Sequence, residues 1–450
     1  MDDKSGTHLS RRSLIKVACA SPFLTGPILT GLVPAIIPSR ARAKSKTLRI
    51  MRWKNFVPGF ETWFNETFVR EWGAENDTEV IVDNVGLSDI NRLAAAQAEI
   101  GDGHDLILFL ASRPALEDHV IDHREIFEEC RGRYGEAAEF VIRSCYNPRT
   151  KTYHGFGESY APTVLTFRRD LWDAVGQRPT TWENIRKGGR AIKLLHDAPV
   201  GISLAPEHNS KHSVRALMSA FGAAVQDEDG NPTLNSAETL EVIKFTKALY
   251  EEAMTEEVLG WGPPSNNRFM LSGAGSLTLD TMSIIRAAEN KALPVEALLE
   301  IATLPQGPAG GTGPAFTINT YTIWRFAKNI DGAKKFLVDY IGRFQEGFVA
   351  SGFQNMPSYP GAVPDFAKLV GASPHPAGRY SLLADVPATL TNLGSPGYAN
   401  AATDEVFNKA VLSTMFARAA TGAATPEDAL AEANQAIQPI FEHWRAAGKI

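Results

Sequence analysis

The sequence predicts an α/β protein built on parallel sheet, and two observations lead there. Between Thr47 and Leu110 the chain reads strand, helix, strand, helix, strand. Strands joined through helices pair in parallel, with right-handed crossovers. The chain has 450 residues, which is more than one hydrophobic core usually serves.

Thr47–Trp53 alternates apolar and polar side chains, as a first strand does. Pro58 and Gly59 open a helix that places Phe60, Trp63, Phe64, Phe68 and Trp72 on one face, and Gly73 and Asn76 end it. Glu79–Asp83 is a second strand. Leu87–Ile100, opened by Ser88 and Asp89, is a second helix. Asp105–Leu110 is almost wholly apolar, which suits a strand buried on both faces. Ligands of such sheets sit beyond the carboxyl ends of the strands. The loops after Trp53, Asp83 and Leu110 are therefore the first places to look.

Helix continues to Cys145, Tyr153–Gly157 reads as a short turn, and Pro162–Phe167 as a strand-like crossing. Thr181 precedes Trp182 and Glu183 as a helix cap, its hydroxyl placed to accept from free amides. Val200–Leu204 resumes strand character, followed by helices over Ser213–Phe221 and Ser236–Glu252. Asn266–Gly273 is a short helix feeding the strand Ser276–Leu279. Phe316–Phe326 crosses again as strand, Asp331–Ile341 is helix, and Thr403–Ala420 and Pro426–Trp444 are two terminal helices.

The amino terminus carries an address. Arg11 and Arg12 precede an apolar run from Ser21 to Pro38, which Pro22, Pro27 and Pro34 make a poor spanning helix. Ala41-Arg42-Ala43 has the small-x-small form of a signal-peptidase site. Residues 1–43 thus read as a twin-arginine export signal, and the mature chain is expected in the periplasm. Its removal moves the formal charge from −6 to −10. An acidic chain is a poor partner for nucleic-acid phosphates. Cys130 and Cys145 follow the signal and could form one disulfide or stay two buried thiols.

Three segments carry a resemblance: Gly103-His-Asp-Leu-Ile-Leu-Phe109, then Tyr160–Trp172 with Thr181-Trp-Glu183, and Asn267–Asp280. In this order, with Thr421–Leu430 opening a terminal helix, the chain resembles the extracellular solute-binding proteins that serve ATP-driven importers, in the class that includes the maltose-binding protein. The resemblance implies the two-lobed, type II periplasmic-binding-protein fold, with hinge-linked lobes each holding a mostly parallel sheet flanked by helices. Residues 44–160 and 319–375 would form lobe 1, and 161–318 and 376–450 lobe 2. It further implies a small polar solute, a sugar or sugar derivative, as ligand. ABC permease subunits of the inner membrane would be the protein partner. A monomer without cofactor or catalysis is expected.

A cleft of this kind needs aromatic faces and a few aimed polar groups. Trp53 and Asn55 follow the first strand and Asp83 the second. Ser112 and Arg113 stand where the maltose-binding protein has an acid and an arginine that bind sugar hydroxyls. Tyr160 precedes the crossing. Asp280 and Ser283 follow a later strand, in the segment that bears a stacking tryptophan in the family. Trp261 either replaces that face or packs in the core. Asn355 lies in a Pro- and Gly-rich loop resembling the family's cleft edge.

Two readings compete: an exported carbohydrate-active hydrolase, and a receptor for a cation such as a polyamine, for which Asp83 and Asp280 would serve. A redox protein is a third class, since twin-arginine export often carries cofactor-bearing cargo. His119 and His123, and His208 and His212, stand four apart but lack a third ligand, so no metal site is expected.

Overall fold

The computed structural model describes residues 46–310, 316–372 and 378–450. The export signal read over 1–43 lies outside them. The predicted βαβαβ run is present: β1 (Lys46–Trp53) pairs in parallel with β2 (Thr78–Val85) on one side and β3 (Leu106–Phe109) on the other. All four residues of β3 are buried. Asp105, just before it, is a clamp. Its carboxylate accepts from the amides of Arg49 at 2.8 Å, Lys328 at 2.6 Å and Asn329 at 3.0 Å.

Phe60, Trp63, Phe64, Phe68 and Trp72 are all buried, as their spacing predicts. The helical run 58–75 that carries them widens to π geometry over Trp63–Phe68. Phe336, on the helix Ile330–Gly342, meets three of these rings at 5.1 to 6.3 Å.

A small hairpin, β4 (Tyr146–Asn147) and β5 (Thr152–Tyr153), comes next. The expected turn at 153–157 is instead largely extended, leading into β6 (Phe156–Pro162). β6 joins the first sheet; β7 (Val164–Arg168) starts a second, with β8 (Val200–Gly201), β9 (Leu277–Asp280) and β10 (Leu299–Ala302). β11 (Phe316–Ile323) returns to the first sheet, and β12 (Met356–Pro357) caps its edge. The sheet orders are β12-β6-β11-β3-β1-β2 and β10-β7-β9-β8.

The sheets are mixed rather than mostly parallel. β12, β6, β11 and β3 pair antiparallel, as do β10, β7 and β9. The physical reason is the crossing itself. A strand that passes between sheets enters without a helical crossover, and so without the constraint that makes neighbours parallel.

Thr181 caps the helix Trp182–His196, accepting from Asn184 N. The helix predicted from Ser213 begins earlier, at His208, because the Glu207 carboxylate accepts from the amides of Asn209 and Ser210. The helix predicted over 403–420 is two, Ala401–Asn408 and Val411–Ala420, broken where Ala410 takes φ of 54°. Cys130 and Cys145 are free, buried thiols, whose pKa values burial pushes up to about 12. Among the described residues no helix is long and apolar enough to cross a membrane.

Removing the Phe336 ring should leave a void among Phe64, Phe68 and Trp72. Phe336→Ala is expected to cost about 3–5 kcal/mol in denaturant unfolding. A loss below about 1 kcal/mol would show that this aromatic cluster is not a core.

Candidate functional site

Asp280 is the last residue of β9, at a strand's carboxyl end, and its side chain is buried. Oδ1 accepts from Thr281 N at 2.7 Å and Oδ2 from Ser283 Oγ at 2.9 Å. Ser283 Oγ in turn accepts from Asn267 Nδ2 at 3.0 Å. No cation pairs with this carboxylate among the described residues. Burial therefore raises its pKa to about 7, against the opposing pull of Thr281 and Ser283.

Around it lies a small recess that opens to solvent. Trp53, at the end of β1, and Phe56 give it aromatic surface. Gln354 and Asn355, just before β12, form the side belonging to the first sheet. Asn267, Asp280, Thr281 and Ser283 form the side belonging to the second. Thr317 and Asn319 of β11 and Ala161 of β6 lie between. Gln354 Nε2 donates to Thr281 Oγ1 at 2.6 Å, so the two sides touch.

Three buried polar atoms on this lining have no protein partner: the Trp53 indole Nε1, Asn319 Oδ1 and Gln354 Oε1. One is a donor and two are acceptors, and burial without a partner costs each about 1–3 kcal/mol. His208 Nε2 lies 3.1 Å from Thr317 Oγ1, and burial holds its pKa at about 3, so the ring is neutral. The lining combines these polar groups with apolar surface from Trp53, Phe56, Leu87, Leu110 and Pro263.

A second recess shares Trp53, Leu87, Leu110, His208 and Pro263 with the first, so the two form one branched cleft. Arg113 lines this second arm. Its Nε donates to the wholly buried Asp404 at 3.0 Å and its Nη1 to Asn91 at 2.7 Å.

Of the ten residues singled out in the sequence, the structure thus brings Trp53, Asp280, Ser283 and Asn355 together, with Arg113 alongside. The others lie elsewhere. Asn55 caps a turn, its Oδ1 accepting from Val57 N at 2.8 Å. Asp83 sits on β2, half exposed, against His104 at 2.8 Å and Arg49 at 3.6 Å. Ser112 is wholly buried outside the recess lining. Tyr160 packs edge-on against Phe140. Trp261 packs on Phe269 and covers Gly201, so it fills core space. Sequence reasoning missed His208, Asn319 and Gln354. The only available signal was their place beside strand ends and crossings.

His208 and His212 meet as rings 4.7 Å apart, and among the described residues no cluster of His, Cys, Asp or Glu could hold a metal ion.

Residues 59–340 match the profile of the bacterial extracellular solute-binding proteins, most of the chain's length. The chain belongs to that family. A curated relative from Brucella abortus, named only as a binding protein, is 21% identical over 232 residues, which cover 51% of this chain and 54% of the relative. The chain thus spans about half the length of the curated relatives it matches. Solved structures extend the likeness in fold. Maltose-bound MalE3 of T. maritima superposes with a TM-score of 0.74 at 16% identity, covering 87% of this chain and 99% of that one. A solute-binding protein of Agrobacterium radiobacter K84 with ribitol gives 0.73 at 16% identity, covering 88% and 99%. Both likenesses fit the two-lobed, type II fold of this solute-binding protein.

The Asp280 carboxyl ionises near 3.8 when exposed and near 7 in the fold. Between those values the native state holds a proton that the unfolded state has lost, so this group's contribution to stability falls as pH rises through the window. Asp280→Asn removes that loss. Its melting temperature relative to wild type should climb between about pH 4 and about pH 7. A difference that does not vary with pH would show that the carboxylate is not desolvated.

Proposed function

We propose that this solute-binding protein captures a hydroxyl-rich solute, a sugar or sugar alcohol, in the cleft around Asp280 and delivers it to an ABC permease. One observation carries the reading: Trp53 Nε1, Asn319 Oδ1 and Gln354 Oε1 are buried, unpartnered and gathered around one desolvated carboxylate. Hydroxyls both donate and accept, so one sugar can satisfy all of these groups. Trp53 and Phe56 offer apolar surface to a sugar's C–H faces. The maltose and ribitol held by the two structural neighbours agree with this class.

Trp53, Asp280, Ser283 and Asn355 are the proposed contacts, joined by His208, Asn319 and Gln354. Binding proceeds without turnover. This part of the reading rests on the family, whose members are described as solute-binding proteins. We read the lobes as dividing where the chain leaves one sheet for the other, close to 160 and 319, with the carboxyl-terminal helices in the second lobe. The twin-arginine segment delivers the monomer to the periplasm.

Thermal-shift and calorimetric titration against neutral sugars and polyols tests the reading. A cognate solute should raise the melting temperature, since it binds the native form alone. Trp53→Ala and Asp280→Ala should each weaken that solute about tenfold or more, the equivalent of one charge-assisted or stacking contact. Unchanged affinity in both variants would place the site elsewhere. Release of product from the bound solute would make the protein an enzyme.

A further inference from the structure

The second arm of the cleft differs from the first in charge. Arg113, Glu207 and Lys211 line it. Arg113 is neutralised by Asp404 and held by Asn91. The Glu207 carboxylate accepts from two amides at its helix start, at 2.9 and 2.7 Å. Lys211 stands one helical turn beyond Glu207, yet among the described residues no carboxylate lies within ion-pair distance of its ammonium. Among the described residues its Nζ donates only to the Asn408 carbonyl, at 3.3 Å, and lies 5.2 Å from the centre of the Phe407 ring. Three donors on a partly desolvated cation thus have one weak acceptor between them. Burial pulls the ammonium's pKa down, with Arg113 adding to the fall and the carboxylates of Glu207 and Asp404 opposing it.

Position makes this cation useful. His208 lines both arms, and Lys211 follows it by three residues on the same helix. Side chains at that spacing are neighbours, with Cβ atoms about 5–6 Å apart. A single pentose- or hexose-sized skeleton spans from one to the other. We infer that the preferred solute carries one anionic group, a carboxylate or a phosphate ester, which Lys211 holds in the second arm while the hydroxyls occupy the first. The inference rests on the receptor reading above and narrows it from neutral sugars to acidic sugar derivatives.

The test titrates the full mature chain with matched triplets: glucose, glucuronate and glucose 6-phosphate, and ribitol, ribonate and ribitol 5-phosphate. In at least one triplet an anionic member should bind at least tenfold more tightly than its neutral parent. Lys211→Gln should close that gap, whereas Lys211→Arg should keep most of it. Lys211→Met keeps an unbranched apolar stem and serves if Lys211→Gln fails to fold. Whether carboxylate or phosphate gains more identifies the group. The gap should narrow with added salt, as an electrostatic contact requires. Neutral parents binding as tightly as their anionic partners would overturn this inference and leave the sugar receptor standing. An anionic preference that survives in both Lys211→Gln and Lys211→Met would also overturn it. No binding by any member of either triplet would overturn both.

Discussion

Pro162, Thr163 and Val164 carry the chain out of one sheet and into the other, and the placement of the site depends on that crossing. β6 is bound into the first sheet by β11, and β7 into the second by β9. With no helix between β6 and β7, the sheets are tied together at the end of each strand. Val164 pairs with Asp280, so the crossing fixes the depth at which β9 ends. Thr317 and Ala161 are register partners on the other side of the same crossing, and both face the recess. The cleft wall is therefore a consequence of strand register. A shift of one residue in either ladder would turn Asp280 or Asn319 away from it.

Three buried ion pairs are built differently from Asp280. Arg113 meets Asp404, Arg286 meets Glu289 at 2.7 Å, and Arg52 meets Glu61 at 3.0 Å. Arg286 also donates to the Gly352 carbonyl and lies over the Tyr380 ring, so it joins the helix Ser283–Asn290 to segments far along the chain. Each of these pairs keeps a charge inside by supplying its opposite. Asp280 has only hydroxyl, amide and backbone partners. That is the difference between a group that holds the fold and one left able to take a further hydrogen-bonding partner.

Much of this was legible in the sequence, and the boundary is instructive. The aromatic face of 58–75, the cap at Thr181 and the strand end at Asp280 are local patterns, and local chemistry produces them. Trp53 was readable because it ends a strand. Tyr160 was misplaced by one step of strand parity: Ser159 and Ala161 face β11's Asn319 and the recess, while Tyr160 and Glu158 point the other way. Burial raises the Glu158 carboxyl to about 8, in keeping with its place inside the fold. Trp261 needed Gly201, far off in sequence, to make room for it. Gln354 reaches Thr281 across 73 residues of sequence, and no periodicity announces such a contact. Nothing in the sequence singles out Lys211, because the surroundings of its ammonium are a fact of three dimensions.

The Gln354–Thr281 bond also bears on how such a protein works. It joins the segment before β12, on the first sheet, to the end of β9 on the second, at the edge of the recess. One hydrogen bond of this kind contributes on the order of 1 kcal/mol, which biases an open–closed equilibrium by less than tenfold. A bias of that size leaves the equilibrium responsive to ligand. On the proposed reading, a solute bridging Trp53 and Gln354 on one side and Asp280 on the other would add contacts that exist only when the sides approach. A ligand shifts a conformational equilibrium only by its differential affinity for the two states. The three unpartnered atoms, Trp53 Nε1, Asn319 Oδ1 and Gln354 Oε1, belong to the first sheet's side and the buried Asp280 to the second's, so on the proposed reading a bridging solute would gain its differential affinity in the cleft.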